Sequence, residues 1–217
     1  MITISGIKYQ KELEKLPYFN KKTVGILIGK KEGNLDKKIE QLIRKKYLIS
    51  LKKGLYVASA YLSSQSKKSD YCEYIANILR YPSYLSLEYV LSINNLIPEA
   101  IYAWTSITLK TPRVYKNQLG SFIYRNVKST LFTGFTKEKK GEFNISIATT
   151  AKSLFDYLYL KRNLADNLQY ELNQGLRINW DNFSEEDLKE FEKYTIASQS
   201  KKMKKILKVI EEIKNDY

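Results

Sequence analysis

The chain contains no histidine and a single cysteine, Cys72. The first absence removes every Ser–His or Cys–His nucleophile pair and every His-ligated zinc site. Metal-assisted chemistry would fall to carboxylates alone. The lone cysteine allows no internal disulfide and fits a reducing, cytoplasmic setting. Set between Tyr71 and Tyr74 in an expected helix, Cys72 reads as a small buried hydrophobe. No run of about eighteen apolar residues exists, which argues against a membrane span. The opening Met1-Ile2-Thr3-Ile4-Ser5 lacks the basic and long apolar regions of a secretory leader. Paired-acid motifs, a Gly-rich phosphate loop and a D…ExK nuclease pattern are missing too. These gaps predict a non-enzyme that works without cofactor or metal.

What is present is positive charge. The chain has 217 residues, 43% of them apolar, and a net charge of +14. The excess is uneven: residues 1–66 hold 14 Lys/Arg against 5 Asp/Glu, whereas residues 67–217 hold 23 against 18. Charge gathered on a small N-terminal segment is the footprint of nucleic-acid binding. A lysine-rich solvated surface is the plainer reading of composition alone, so the local pattern has to decide.

That pattern lies between Asn34 and Val57. Leu35, Ile39, Leu42, Ile43 and Leu48 follow a helical apolar stripe, and Lys37, Lys38, Gln41, Arg44 and Lys45 occupy the other face. Asn34 is the expected N-cap, with Asp36 in the first turn. Tyr47–Leu51 and Leu55–Val57 then alternate as short strands around Lys52-Lys53-Gly54. Upstream, residues 7–18 suggest a first helix ended by Pro17. Asn20 is an N-cap for a second helix, Lys21–Ile28, ending near Gly29, with Val24, Ile26, Leu27 and Ile28 toward a small core. Lys30-Lys31-Glu32-Gly33 forms the turn into the third helix. Three helices and a hairpin make a winged helix-turn-helix over residues 1–66, a module that sets one helix in the major groove.

The Ser-rich stretch Ser59–Ser69 reads as a connection. Residues 67–217 suggest a mixed α/β domain with a small sheet and a helical C-terminal tail, so the expected class is α+β. Helices are expected at Asp70–Leu79, Leu85–Ile93, Thr150–Leu160 and Asn163–Asn173. Ser184 with Asp187 opens another, and Ser200–Asn215 is the last. Strands are expected at Ile101–Thr108, Gly120–Val127 and Phe143–Ala148, with Lys137–Gly141 as a charged hairpin tip.

Several segments of this second part are similar to a known family. Tyr81-Pro82-Ser83-Tyr84-Leu85-Ser86-Leu87-Glu88, Leu96-Ile97-Pro98-Glu99-Ala100, Trp104-Thr105-Ser106-Ile107-Thr108, Gly120-Ser121-Phe122-Ile123-Tyr124-Arg125-Asn126-Val127 and Ala151-Lys152-Ser153-Leu154-Phe155-Asp156-Tyr157-Leu158-Tyr159 occur in the order of the conserved block of the AbiEi family. The last resembles that family's E-KALLDLLYL helix, with Thr150 where many members carry an acid. The likeness spans residues 8–160 and does not extend to the final fifty. It implies a DNA-binding antitoxin and autorepressor of an AbiE-type (type IV) toxin–antitoxin operon, a phage-defence class. In such proteins a winged helix binds promoter inverted repeats, and the second domain counteracts a nucleotidyltransferase-like toxin, described as acting without a stable complex.

The expected DNA-contact set is Lys21, Lys22, Lys37, Lys38, Gln41, Arg44, Lys45, Lys52 and Lys53. Gln41 suits adenine, Arg44 suits guanine, and the lysines suit phosphates. Lys110, Arg113, Lys116, Arg125 and Lys128 suggest a second basic patch, or else lysines guarding a sheet edge. Tyr81, Tyr84, Tyr89, Tyr102, Trp104 and Tyr115 are either core or a stacking platform for single strands. Asp156 and Glu99 read as capping or ion-pair residues. The competing functional reading is an RNA-binding or enzyme-regulating module in which the winged helix only docks; a nuclease with a degenerate site is the third.

Overall fold

Local capping chemistry shapes the N-terminal third of the chain. Asn20 Oδ1 accepts from Thr23 N–H at 2.9 Å and opens helix α2, Lys21–Ile28. Gly29 closes it at φ 67, a left-handed conformation that costs glycine nothing. The computed structural model describes residues 4–29 and 32–215, so Lys30 and Lys31 of the expected turn lie outside the described residues. Two units emerge: Met1–Tyr71 with Tyr115–Gly120, and Cys72–Val114 with Ser121–Tyr217. The sequence boundary at 66/67 and this division differ by five residues and by the Tyr115–Gly120 excursion.

The first unit begins with α1, Ile4–Leu13, and the short strand β1, Phe19–Asn20. After α2 comes α3, Glu32–Arg44. Asn34 therefore lies inside α3 rather than capping it, and Glu32 and Gly33 are helical rather than part of a turn. Leu35, Ile39 and Leu42 are buried as their 3–4 residue spacing requires. Ile26, expected in the core, is 71% exposed. At 100° per residue a helix cannot turn Val24 and Ile26 to the same side, and Val24 is the one fully buried.

Helix α3 ends in a Schellman arrangement. Tyr47 N–H donates to Leu42 O, and Lys46 N–H to Ile43 O, with Lys46 itself at φ 58. This reversal directs the chain into β2, Leu48–Lys52, and β3, Leu55–Ala58. Both pair antiparallel, with β1 on the far side of β3, giving the order β1-β3-β2. A bulge between Ser50 and Lys52, with Gly54 at φ 78, makes the hairpin turn. Helix α4, Ser59–Ser64, occupies the expected connection, and α5, Lys68–Leu79, follows.

A six-stranded mixed sheet follows, of order β6-β7-β5-β4-β9-β8; it belongs to the second unit except for Tyr115–Gly120, which count with the first. Its strands are β4 Ser83–Leu85, β5 Ala103–Thr108, β6 Arg113–Asn117, β7 Gly120–Asn126, β8 Phe135–Lys140 and β9 Phe143–Ala148. β4 runs antiparallel to β5 and parallel to β9, β5 runs parallel to β7, and β8 runs antiparallel to β9. The expected small sheet of three strands thus doubles. Lys137–Lys140, expected at a hairpin tip, pair along β9 from Lys137↔Ser146 to Lys140↔Phe143. Their charges mark an edge strand rather than a loop.

The helices that follow are α6 Glu88–Ile93, α7 Thr150–Leu160, α8 Leu168–Tyr170, α9 Glu185–Ser198 and α10 Lys201–Asn215; α6 packs on β5 and α7 on β9, while α9 and α10 pack on α7. The expected Asn163–Asn173 helix shrinks to α8 and a π-turn at Glu171–Gly175. Ser184 and Asp187 form a reciprocal capping box at the start of α9. The core joins Leu154, Phe155 and Leu158 of α7 to Phe191 of α9 and to Met203, Ile206, Ile210 and Ile213 of α10. Phe155 meets Phe191 edge-on at 5.8 Å. Cys72 is buried, as its apolar setting predicts. Among the described residues no helix is long and apolar enough to cross a membrane.

Candidate nucleic-acid interface

The face of α3 opposite its buried stripe is cationic and open. Lys37, Gln41 and Arg44 stand at i, i+4 and i+7, all exposed, with Lys45 beside them. Three hydrogen-bonded restraints present this face. Lys21 Nζ pairs with Asp36 at 2.7 Å, linking the start of α2 to the first part of α3. Lys21 N–H donates to Gly54 O at 3.2 Å, tying α2 to the hairpin tip. Ser59 Oγ donates to Lys46 O, and Ser59 N–H to Tyr47 O, holding the exit of α3.

Within this frame the nine expected contacts separate. Lys22, Lys37, Lys45 and Lys53 are exposed. Arg44 lies 3.3 Å from Glu40 in an exposed i, i+4 pair. Such pairs stabilise by about 0.3–0.5 kcal/mol, so the guanidinium is readily exchanged for another acceptor. Lys38 Nζ donates to Gln41 Oε1 at 3.2 Å and orients that amide. Lys21 is engaged by Asp36, a partner fifteen positions away that local spacing did not reveal. Lys52 lies 5.7 Å over the ring of Tyr115, and Asn117 Nδ2 donates to Leu51 O at 2.9 Å, so the hairpin tip of this unit is braced by Tyr115–Gly120.

The second basic set does not gather in one unit. Lys116 belongs to the first unit and Lys110, Arg113, Arg125 and Lys128 to the second. Arg125 lines a cleft of about 230 Å³ with Leu87, Glu88, Thr105, Tyr157 and Lys161. Leu87 there adopts φ 63 and ψ −146, a region that is nearly glycine-only. Of the six aromatics, Tyr84 is buried and stacks on Phe135 at 4.6 Å, while Trp104 stacks on Phe122 at 5.0 Å. Tyr81 and Tyr102 are 71% and 89% exposed. The set is split between core and surface.

Asp156, expected as a capping or ion-pair residue, sits in a buried charge cluster whose other members the sequence did not mark. Lys152 and Asp156, one turn apart on α7, are both 0% exposed and ion-paired. Tyr84 Oη and Ser86 Oγ donate to Asp156 Oδ2 at 3.0 and 2.9 Å, and the ammonium lies 5.1–5.7 Å from the Phe155, Tyr194 and Tyr84 ring centres. Burial lowers the Lys152 pKa and raises that of Asp156, and each charge opposes the other's shift. The signal was a Lys-x-x-x-Asp spacing inside an apolar helix. Glu99, also expected in an ion pair, meets Arg177. No group of three or more His, Cys, Asp or Glu able to hold a metal ion occurs among the described residues. Compared with protein-family models and with curated proteins, the chain matches none.

Proposed function

We propose that the first unit is a winged helix-turn-helix that binds duplex DNA, with α3 in the major groove, and that the chain is the autorepressor and antitoxin of a toxin–antitoxin operon. The observation that carries the DNA half is the open face Lys37–Gln41–Arg44 on α3, with Lys45 just past its end and a hairpin tip carrying Lys53. Gln41 presents a donor and an acceptor on one amide, the pair that adenine N7 and N6 require, and Arg44 presents the fork that guanine O6 and N7 require. The lysines neutralise phosphates and set register. The antitoxin half rests on the AbiEi-like segments between Tyr81 and Tyr159. Its opponent is a nucleotidyltransferase-like toxin, counteracted with or without direct contact.

The test is binding to a labelled duplex from the region upstream of the gene, beside a shuffled duplex, for the native chain and Lys37→Ala/Arg44→Ala. A sequence-specific repressor prefers its own duplex by about a thousandfold or more, and the double variant loses that preference. Equal, weak binding to both duplexes refutes the repressor reading.

A further inference from the structure

The last helix carries six lysines, and the structure sorts them into two groups. Lys202 Nζ donates to the carbonyls of Leu158, Tyr159 and Lys161 at 2.7–2.9 Å, closing the C-terminus of α7. Lys214 Nζ donates to Trp180 O and Phe183 O. These two serve the fold. Lys201, Lys204, Lys205 and Lys208 are all exposed and share one side of α10, opposite Met203, Ile206 and Ile210. None of the four side chains has a hydrogen bond or ion pair among the described residues.

Their position works against the helix that bears them. Four like-charge pairs (201/204, 201/205, 204/208 and 205/208) fall at i, i+3 or i, i+4, where repulsion destabilises. The first turn of a helix disfavours cations, and the first turn of α10 contains no acid. From Lys201 to Lys208 this side carries one sign only; the first exposed acid on it is Glu212, four residues beyond Lys208. The stripe has neither arginine nor aromatic residues, whereas protein interfaces enrich both and deplete lysine. From Lys201 to Lys208 it runs about 10 Å, roughly three phosphates along one strand.

The geometry points to this stripe as a second, sequence-independent DNA surface that holds the phosphate backbone of a duplex and is separate from the cationic face of α3. It does not depend on base recognition by the first unit.

The experiment compares four full-length proteins: native, Lys201→Gln/Lys204→Gln/Lys205→Gln/Lys208→Gln, the Lys37→Ala/Arg44→Ala variant, and the combination. Binding to a 30-base-pair duplex of random sequence is titrated from 50 to 200 mM salt. Loss of the four lysines reduces affinity about tenfold or more at 100 mM and flattens the log–log salt slope by about 3. It does so in both backgrounds, while the melting temperature stays level or rises by about 1–3 °C because repulsion is relieved. The matching Lys→Arg quadruple retains binding. An unchanged affinity and slope in the Gln variant overturns the proposal. So does stripe-dependent binding of poly-glutamate in preference to the duplex, which would make the partner an acidic protein. A lower melting temperature would show the stripe to be structural and equally refute it. If α3 substitutions prove inert while the stripe variant loses binding, the α3 reading falls and this one stands.

Discussion

Splitting the buried pair on α7 gives two variants whose stabilities must move in opposite directions with pH. Lys152→Met leaves Asp156 fully buried with only Tyr84 and Ser86 as donors. Asp156→Asn leaves the ammonium of Lys152 among the rings of Tyr84, Phe155 and Tyr194. Removing one member of a buried pair costs about 3–5 kcal/mol. For a chain of this size that lowers the melting temperature by roughly 6–20 °C. In Lys152→Met the native carboxyl loses its chief counter-charge and titrates above its unfolded value near 3.9. The native state then binds more protons than the unfolded one, so stability is greatest at low pH and is lost as pH rises through the folded value. In Asp156→Asn the native ammonium titrates below its unfolded value near 10.4, so the unfolded state binds more protons and stability rises with pH. Urea titrations at pH 5, 7 and 9, followed by tryptophan fluorescence, read this directly, because Trp104 and Trp180 both belong to the second unit. The double variant Lys152→Met/Asp156→Leu strands two hydroxyls instead of a charge and should recover part of the loss. If both single variants lie within about 1 kcal/mol of the native protein, or their pH trends share a sign, the buried ion pair is not present as described.

Three further outcomes are expected. Gly134 has φ 74, and a Cβ there would stand 2.6 Å from Tyr194 Cζ and 2.9 Å from Lys152 Cδ; Gly134→Ala should cost about 2–4 kcal/mol in urea titrations, and a loss below about 1 kcal/mol would refute the close fit. Lys202→Met keeps the apolar stem but uncaps α7; a destabilisation of about 1–3 kcal/mol is expected, and none if the three carbonyls are otherwise satisfied. Lys46→Gly relieves a left-handed residue at the end of α3 and should stabilise the first unit by about 0.5–1 kcal/mol, read by circular dichroism on heating.

Much of the fold was legible because its determinants lie within a few residues of one another. The helix Lys21–Ile28 matches its sequence expectation at both ends, since Asn20 and Gly29 act on the nearest turn. The capping box at Ser184 and the apolar stripe of α10 are of the same kind. Asn34 misled because a good capping residue is equally able to sit in a first turn when the helix begins two residues earlier. Strands β4, β6 and β8 were missed for another reason. Lys137-Glu138-Lys139-Lys140 has no apolar alternation, and its strand character comes from backbone pairing to β9. The α3 face was readable from periodicity, whereas Asp36 as the partner of Lys21, or Tyr115 beneath Lys52, was not.

Short windows of sequence therefore encode local properties: which segments coil into helices, where they are capped, which face of α3 and of α10 is cationic, and that 14 of the 37 Lys/Arg crowd into residues 1–66. Only the packing of distant segments sets which lysines face water. Lys152 is enclosed beside Asp156, Lys202 and Lys214 cap carbonyls, Lys21 is tethered, and Lys37, Lys201 and Lys205 stay open. The side chain is identical in every case. Its desolvation and its partners depend on chain segments brought together from far along the sequence, and no window of neighbouring residues encodes them.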